Sequence, residues 1–88
     1  MAGGGTTAMT QAPRYDALVD ARGLSCPMPL VKARQALMVL PPGALVCVLA
    51  TDPAARRDFE DFADATGHTL VETREEAGVL LIVVEKRR

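Results

Sequence analysis

Two prolines one residue apart, in Cys26-Pro27-Met28-Pro29, fix where the first long helix of this chain can begin. Proline is favoured in the first turn of a helix, because the amide it lacks would have no intrahelical partner there and its φ is already helical. The pair therefore marks a helix start and sets Cys26 at or beside the N-cap. A thiol there lies at the positive end of the helix dipole, close to the free N–H groups of the first turn, and both favour the thiolate. On that reading Cys26 is a nucleophile, with Pro27 and Pro29 shaping its surroundings. The competing reading is a small residue tolerated at a turn, since cysteine is commonly buried and inert. Ser, Thr, Asp or Asn would cap better, so a cysteine here asks for another reason.

The rest of the chain is punctuated in the same way. Ala17, Leu18 and Val19 between Asp16 and Asp20 predict a short strand ending at a Gly23 turn, and the conformational freedom of Gly23 brings the thiol to the surface. Leu30, Ala33, Leu37 and Leu40 fall at helical spacing, so the helix runs over 27–40 and stops at Pro41-Pro42-Gly43. The continuously apolar, valine-rich run 44–50 reads as a central strand. Asp52-Pro53 repeats the helix-start logic, with Asp52 as the cap. Phe59, Phe62, Ala63 and Thr66 then give a second helix that stops at Gly67. Two more strands follow over 68–73 and 79–85, joined by a polar, glycine-containing loop over 74–78, which predicts an antiparallel hairpin.

The order β-α-β-α-β-β implies an α/β two-layer sandwich: a mixed four-stranded sheet with both helices on one face. The loops after the first two strands leave such a sheet at the same edge, where open α/β sheets bind ligands, so Cys26 and Asp52 are expected to be neighbours there. The charge of Asp52 opposes a nearby thiolate, which makes its expected role positional. Arg56 and Arg57, early in the second helix, are candidates for contact with an anionic group or a partner's acidic patch. An ordinary solvated helix face accounts for them about as well.

Several function classes are disfavoured. A net charge of −1, from 10 basic and 11 acidic residues, and an aromatic content of 3% give no footprint for direct nucleic-acid binding. No apolar run reaches the roughly 18 residues of a membrane span, and the first ten residues lack the charged and apolar regions of a secretory signal. With two cysteines expected to be free thiols, a reducing, cytoplasmic location is the expectation. Residues 1–13, Gly-rich and without periodicity, read as a disordered tail ahead of a domain over 14–88. Cys47 lies within the valine-rich strand and reads as core. At about 3.3 Å per residue it is more than about 10 Å from Cys26, beyond disulfide reach. His68, the only histidine, is expected at the other edge of the sheet, which disfavours a Cys/His dyad, and the scattered Cys and His residues make no metal site.

The motif in its context resembles a known family. Cys-Pro-x-Pro opening the first helix, the preceding Gly23-Leu24-Ser25, Asp52-Pro53-Ala54 opening the second, Arg57-Asp58 within it and Gly67-His68 after it are similar to the small TusA/SirA-type sulfur-carrier proteins. The resemblance spans residues 16 to 85. It implies that Cys26 accepts sulfane sulfur as a persulfide from a cysteine desulfurase or another sulfur-donor protein and passes it to an acceptor protein, acting as a sulfurtransferase of the carrier kind. Because one sulfur attacks another directly, no cofactor is expected. The alternatives are a regulatory or interaction module of the same fold without sulfur transfer, or a related role in sulfur oxidation or selenium metabolism.

The apolar strands carry one more expectation. Leu45, Cys47 and Leu49 alternate with Val46, Val48 and Ala50, and Leu80, Ile82 and Val84 with Val79, Leu81 and Val83, so one set from each strand must face away from the helices. Either a weak homodimer or partner covers that stripe, or long side chains such as Glu72 and Arg74 shield it.

Overall fold

The computed structural model describes residues 14–88; the segment 1–13, read from the sequence as a tail, lies outside the described residues. The chain forms β1 (Ala17–Ala21), α1 (Met28–Val39), β2 (Leu45–Ala50), α2 (Ala55–Thr66), β3 (Thr69–Glu76) and β4 (Val79–Glu85). The sheet order is β1-β2-β4-β3. β1 and β2 are parallel, with Ala17 opposite Val46 and Ala21 opposite Ala50. β4 lies antiparallel to both β2 and β3. The mixed sheet and two helices are those expected from the element order.

Both helices pack on one face. Val46, Val48 and Ala50 of β2 and Leu80, Ile82 and Val84 of β4 meet Ala33 and Leu37 of α1 and Ala55 and Phe59 of α2 in a single cluster. Phe59 is its largest member and is fully buried; its ring meets that of Phe62 edge-on, 6.4 Å between centroids. With so few aromatics the core is aliphatic, and the β-branched residues of the two central strands fill it.

The other face of the sheet carries no helix, yet Cys47 and Val83 are only 2% and 1% exposed there. Glu72 stands opposite Val83 and Arg74 opposite Leu81 in the β3–β4 register, and the two charged side chains pair at 3.3 Å. Arg74 also lines a small cavity of ≈ 140 Å³ with Leu49, Glu76, Val79 and Leu81. Glu72 and Arg74 of β3 thus flank the stripe, where shielding by such side chains is one of the two solutions the sequence offers, while Leu18, opposite Cys47 in β1, stays 49% exposed.

The hairpin departs from expectation. Arg74, Glu75 and Glu76, read as loop, continue β3, and the turn shrinks to Ala77 and Gly78, both at positive φ (52° and 81°). Such two-residue turns match the twist of paired strands. Pairing of Arg74, Glu75 and Glu76 with Leu81, Leu80 and Val79 outweighs the poor strand propensity of charged residues, because that propensity depends on cross-strand context.

Candidate functional site

The site lies where the loops after β1 and β2 leave the sheet. Parallel pairing of the two strands brings their C-terminal ends together, and hydrogen bonds then tie the loops side by side. The Gly23 N–H donates to Thr51 Oγ1 at 2.9 Å. Gly23 adopts φ +82°, and a Cβ there would meet no atom within 4 Å, so glycine is required for its backbone conformation and not for space. Beyond it the Cys26 N–H donates to Asp52 Oδ2 at 2.6 Å. α1 then begins with Pro27 as N-cap and no side-chain cap bond. Pro29 is buried while Cys26 and Pro27 are exposed, so the second proline is also a packing residue.

Asp52 does not cap α2 from the N-cap position, which belongs to Ala54. It sits two residues earlier. Its Oδ1 accepts from the Ala54 N–H at 2.9 Å and its main-chain carbonyl from the Ala55 N–H at 3.0 Å. One carboxylate therefore shapes the entry to α2 and holds the Cys26 main chain. These two N–H donors, Ala54 first and then Cys26, keep the Asp52 carboxyl below its ordinary range.

The residue that reaches the sulfur is one that the sequence marks only as part of the Arg57-Asp58 motif and to which it assigns no role at the site. Asp58, in the first turn of α2, accepts a hydrogen bond from the Cys26 Sγ–H through Oδ2. That bond first, then desolvation, then the charges of Asp58 and Asp52, push the Cys26 thiol up to about 11 from 9.0. The expectation that the helix start favours the thiolate is therefore corrected: a helix end carries roughly half a positive charge, and two full carboxylate charges oppose it. Ala54 and Asp58 are four residues apart and share a helix face, a spacing that could have pointed to Asp58 once Ala54 was set beside the cysteine loop.

The other candidates are dispersed. Arg56 turns toward β3, its Nη1 donating to Thr73 Oγ1 at 3.3 Å. Arg57 is exposed and forms no ion pair with a described residue. Cys47 is buried in mid-strand on the helix-free side, and both cysteines are free. His68 stands after the far end of α2, its Nδ1 accepting from the Arg87 N–H at 2.9 Å and its ring 5.4 Å from that of Phe62.

A βαβαββ sandwich with one exposed cysteine beside two helix starts defines a class of small domains with one accessible thiol, and the comparisons narrow it. The family described as sulfurtransferase TusA matches residues 17–86. A sulfur carrier protein TusA of Pseudomonas paraeruginosa is 46% identical over 72 residues, covering 82% of this chain and 91% of that protein. One of Allochromatium vinosum is 39% identical over 72 residues, 82% of this chain and 95% of that protein. The crystal structure of a SirA-like protein from Desulfitobacterium hafniense aligns with a TM-score of 0.73 at 25% identity, covering 83% of this chain and all of that one. The chain belongs to the TusA sulfurtransferase family. Among the described residues no helix is long and apolar enough to cross a membrane.

Proposed function

We propose that this protein is a sulfur carrier whose Cys26 takes up sulfane sulfur as a persulfide and hands it to an acceptor protein. The observation that carries this reading is the contrast between the two thiols: Cys26 stands exposed at the junction of two loops, while Cys47 is buried. A carrier needs one accessible sulfur and no second thiol that can resolve the persulfide into a disulfide. Membership of the sulfurtransferase family and the names of the relatives support the same role.

In the loading step Cys26 Sγ attacks the terminal sulfur of a donor persulfide. A Cys26 sulfur–sulfur bond forms, the donor's sulfur–sulfur bond breaks, and the donor sulfur leaves with the electron pair and takes up the proton that Cys26 gives up. No electron is gained or lost overall. Discharge repeats the exchange with an acceptor thiol as the attacking group. The donor is a cysteine desulfurase or another persulfide-bearing protein, and a reducing compartment such as the cytoplasm keeps the unloaded thiol free.

Incubation with a cysteine desulfurase and cysteine, followed by intact mass measurement, tests the proposal. The wild type is expected to gain one sulfur atom and Cys26→Ser none. An unmodified wild type would leave an interaction module of the same fold as the better reading.

A further inference from the structure

The surroundings of Cys26 are those of a thiol held back, not of a thiol made ready. The charged groups that bear on Sγ are Asp58 from α2 and Asp52 from the loop before it. Both oxygens of Asp52 already accept main-chain N–H groups. Asp58, by contrast, forms no ion pair with a described residue, and its Oδ2 accepts the thiol S–H.

We infer that Asp58 is a latch on the reactive sulfur: it holds Cys26 as S–H in the unbound carrier, and a productive sulfur donor brings a cationic side chain to Asp58 and so frees the nucleophile. The inference rests on the carrier reading above. Its physical basis is the sign of the local charge. A carboxylate beside a thiol stabilises the S–H form by accepting its proton and destabilises the thiolate by repulsion. A guanidinium or ammonium placed on Asp58 reverses both effects, since it takes over the carboxylate as a hydrogen-bond partner and cancels its charge. Attack on the donor persulfide then proceeds with the bond changes given above, the Cys26 proton ending on the departing donor sulfur. A free electrophile lacking such a cation meets only the protonated thiol. Asp58 thereby distinguishes a docked donor from an unselected oxidant or alkylating agent.

The test compares wild type with Asp58→Asn, which preserves size and can donate to a thiolate, and with Asp58→Ala, which removes the side chain. Alkylation of Cys26 by iodoacetamide is followed across pH by the mass of the Cys26 peptide. Both variants are expected to show a midpoint at least about one pH unit lower than wild type, and alkylation at neutral pH about tenfold faster or more. Loading from glutathione persulfide, a small donor without a docking surface, is expected to accelerate about as much. Loading from a cysteine desulfurase is expected to show no such gain and to fall at limiting donor concentration, because docking already opens the latch in the wild type and the variants lack the carboxylate that pairs with the donor's cation. Unchanged midpoints and rates in both variants would overturn the latch while leaving the carrier reading intact. A tenfold gain with the desulfurase as well would overturn the part assigned to the donor's cation. A shifted midpoint with no sulfur gained by any form from either donor would uphold the hold on the thiol and sink the carrier reading instead.

Discussion

The main-chain N–H of Cys26 donates to Asp52 Oδ2 at 2.6 Å, and this one bond joins the loop that carries the thiol to the loop that opens α2. The same carboxylate accepts from Ala54, so a single side chain sets both the position of the sulfur and the approach of the helix that bears Asp58. Replacing Asp52 by Ala leaves two main-chain donors to find water. A lower melting temperature is expected, together with faster hydrogen exchange at the Cys26 and Ala54 amides. Unchanged exchange at both would show that the carboxylate does not hold the loops.

Acid should reveal the same bond. The Asp52 carboxyl lies below 3.8 in the folded chain, and Asp20, paired with Arg22, lies at about 2. A depressed folded value means that the native state binds fewer protons than the unfolded chain. The stabilising contribution is then complete above about pH 4 and is lost as the pH falls through the folded values. Denaturant titrations between about pH 5 and pH 2 are expected to show a shallower loss in Asp52→Asn than in wild type, and parallel curves would contradict it.

At the alkaline end the sign reverses. The folded Cys26 thiol lies at about 11 against 9.0, so the native state holds its proton longer than the unfolded chain. That contribution is present below about pH 9 and disappears as the pH rises toward 11. Cys26→Ser should therefore lose less stability than wild type over this interval, as measured by urea midpoints. An identical slope in the two proteins would mean that Asp58 does not hold the thiol proton.

Glu72 and Arg74 should protect the buried cysteine. Native alkylation at alkaline pH, where the Cys26 thiol begins to ionise, is expected to label Cys26 and spare Cys47, which reacts only when denaturant is added. In Arg74→Ala, Cys47 is expected to become reactive without denaturant, since a shield over the helix-free face has been removed. Continued protection of Cys47 in that variant would assign its burial to the sheet alone.

Phe59 is the test of the core. It is fully buried between the sheet and α2, and Phe59→Ala is expected to cost about 3–5 kcal/mol. Small domains have only about 5–15 kcal/mol of net stability, so a large fraction of the variant should be unfolded at physiological temperature. A urea midpoint close to that of wild type would show that the helix layer can collapse onto the gap.

What could be read from the sequence was whatever is announced by local punctuation. Pro27 and Pro29, Pro41-Pro42-Gly43, Asp52-Pro53 and Gly67 mark element ends by steric rules that act over a few residues, and the order of elements then implied the layering. The proximity of Cys26 and Asp52 followed from that order. Asp58 did not, because it depends on how α2 is rotated about its axis relative to a loop far away in sequence. The sign of the thiol's environment was misjudged for the same reason: the helix dipole is a local property, and the opposing carboxylate is not. The length of β3 was also missed, since Arg74, Glu75 and Glu76 become strand only through their pairing with β4.

The three bonds that define the site, from Gly23 to Thr51, from Cys26 to Asp52 and from Cys26 to Asp58, span 28, 26 and 32 residues. Contacts of that range require loop closure before they are rewarded, and they form late compared with a helix turn. A nascent or partly folded chain therefore carries Cys26 as an ordinary cysteine, with ordinary acidity. The chemistry of this sulfur is a quality seal on the finished fold, and a reagent that distinguishes the held thiol from the ordinary one would count folded molecules one by one.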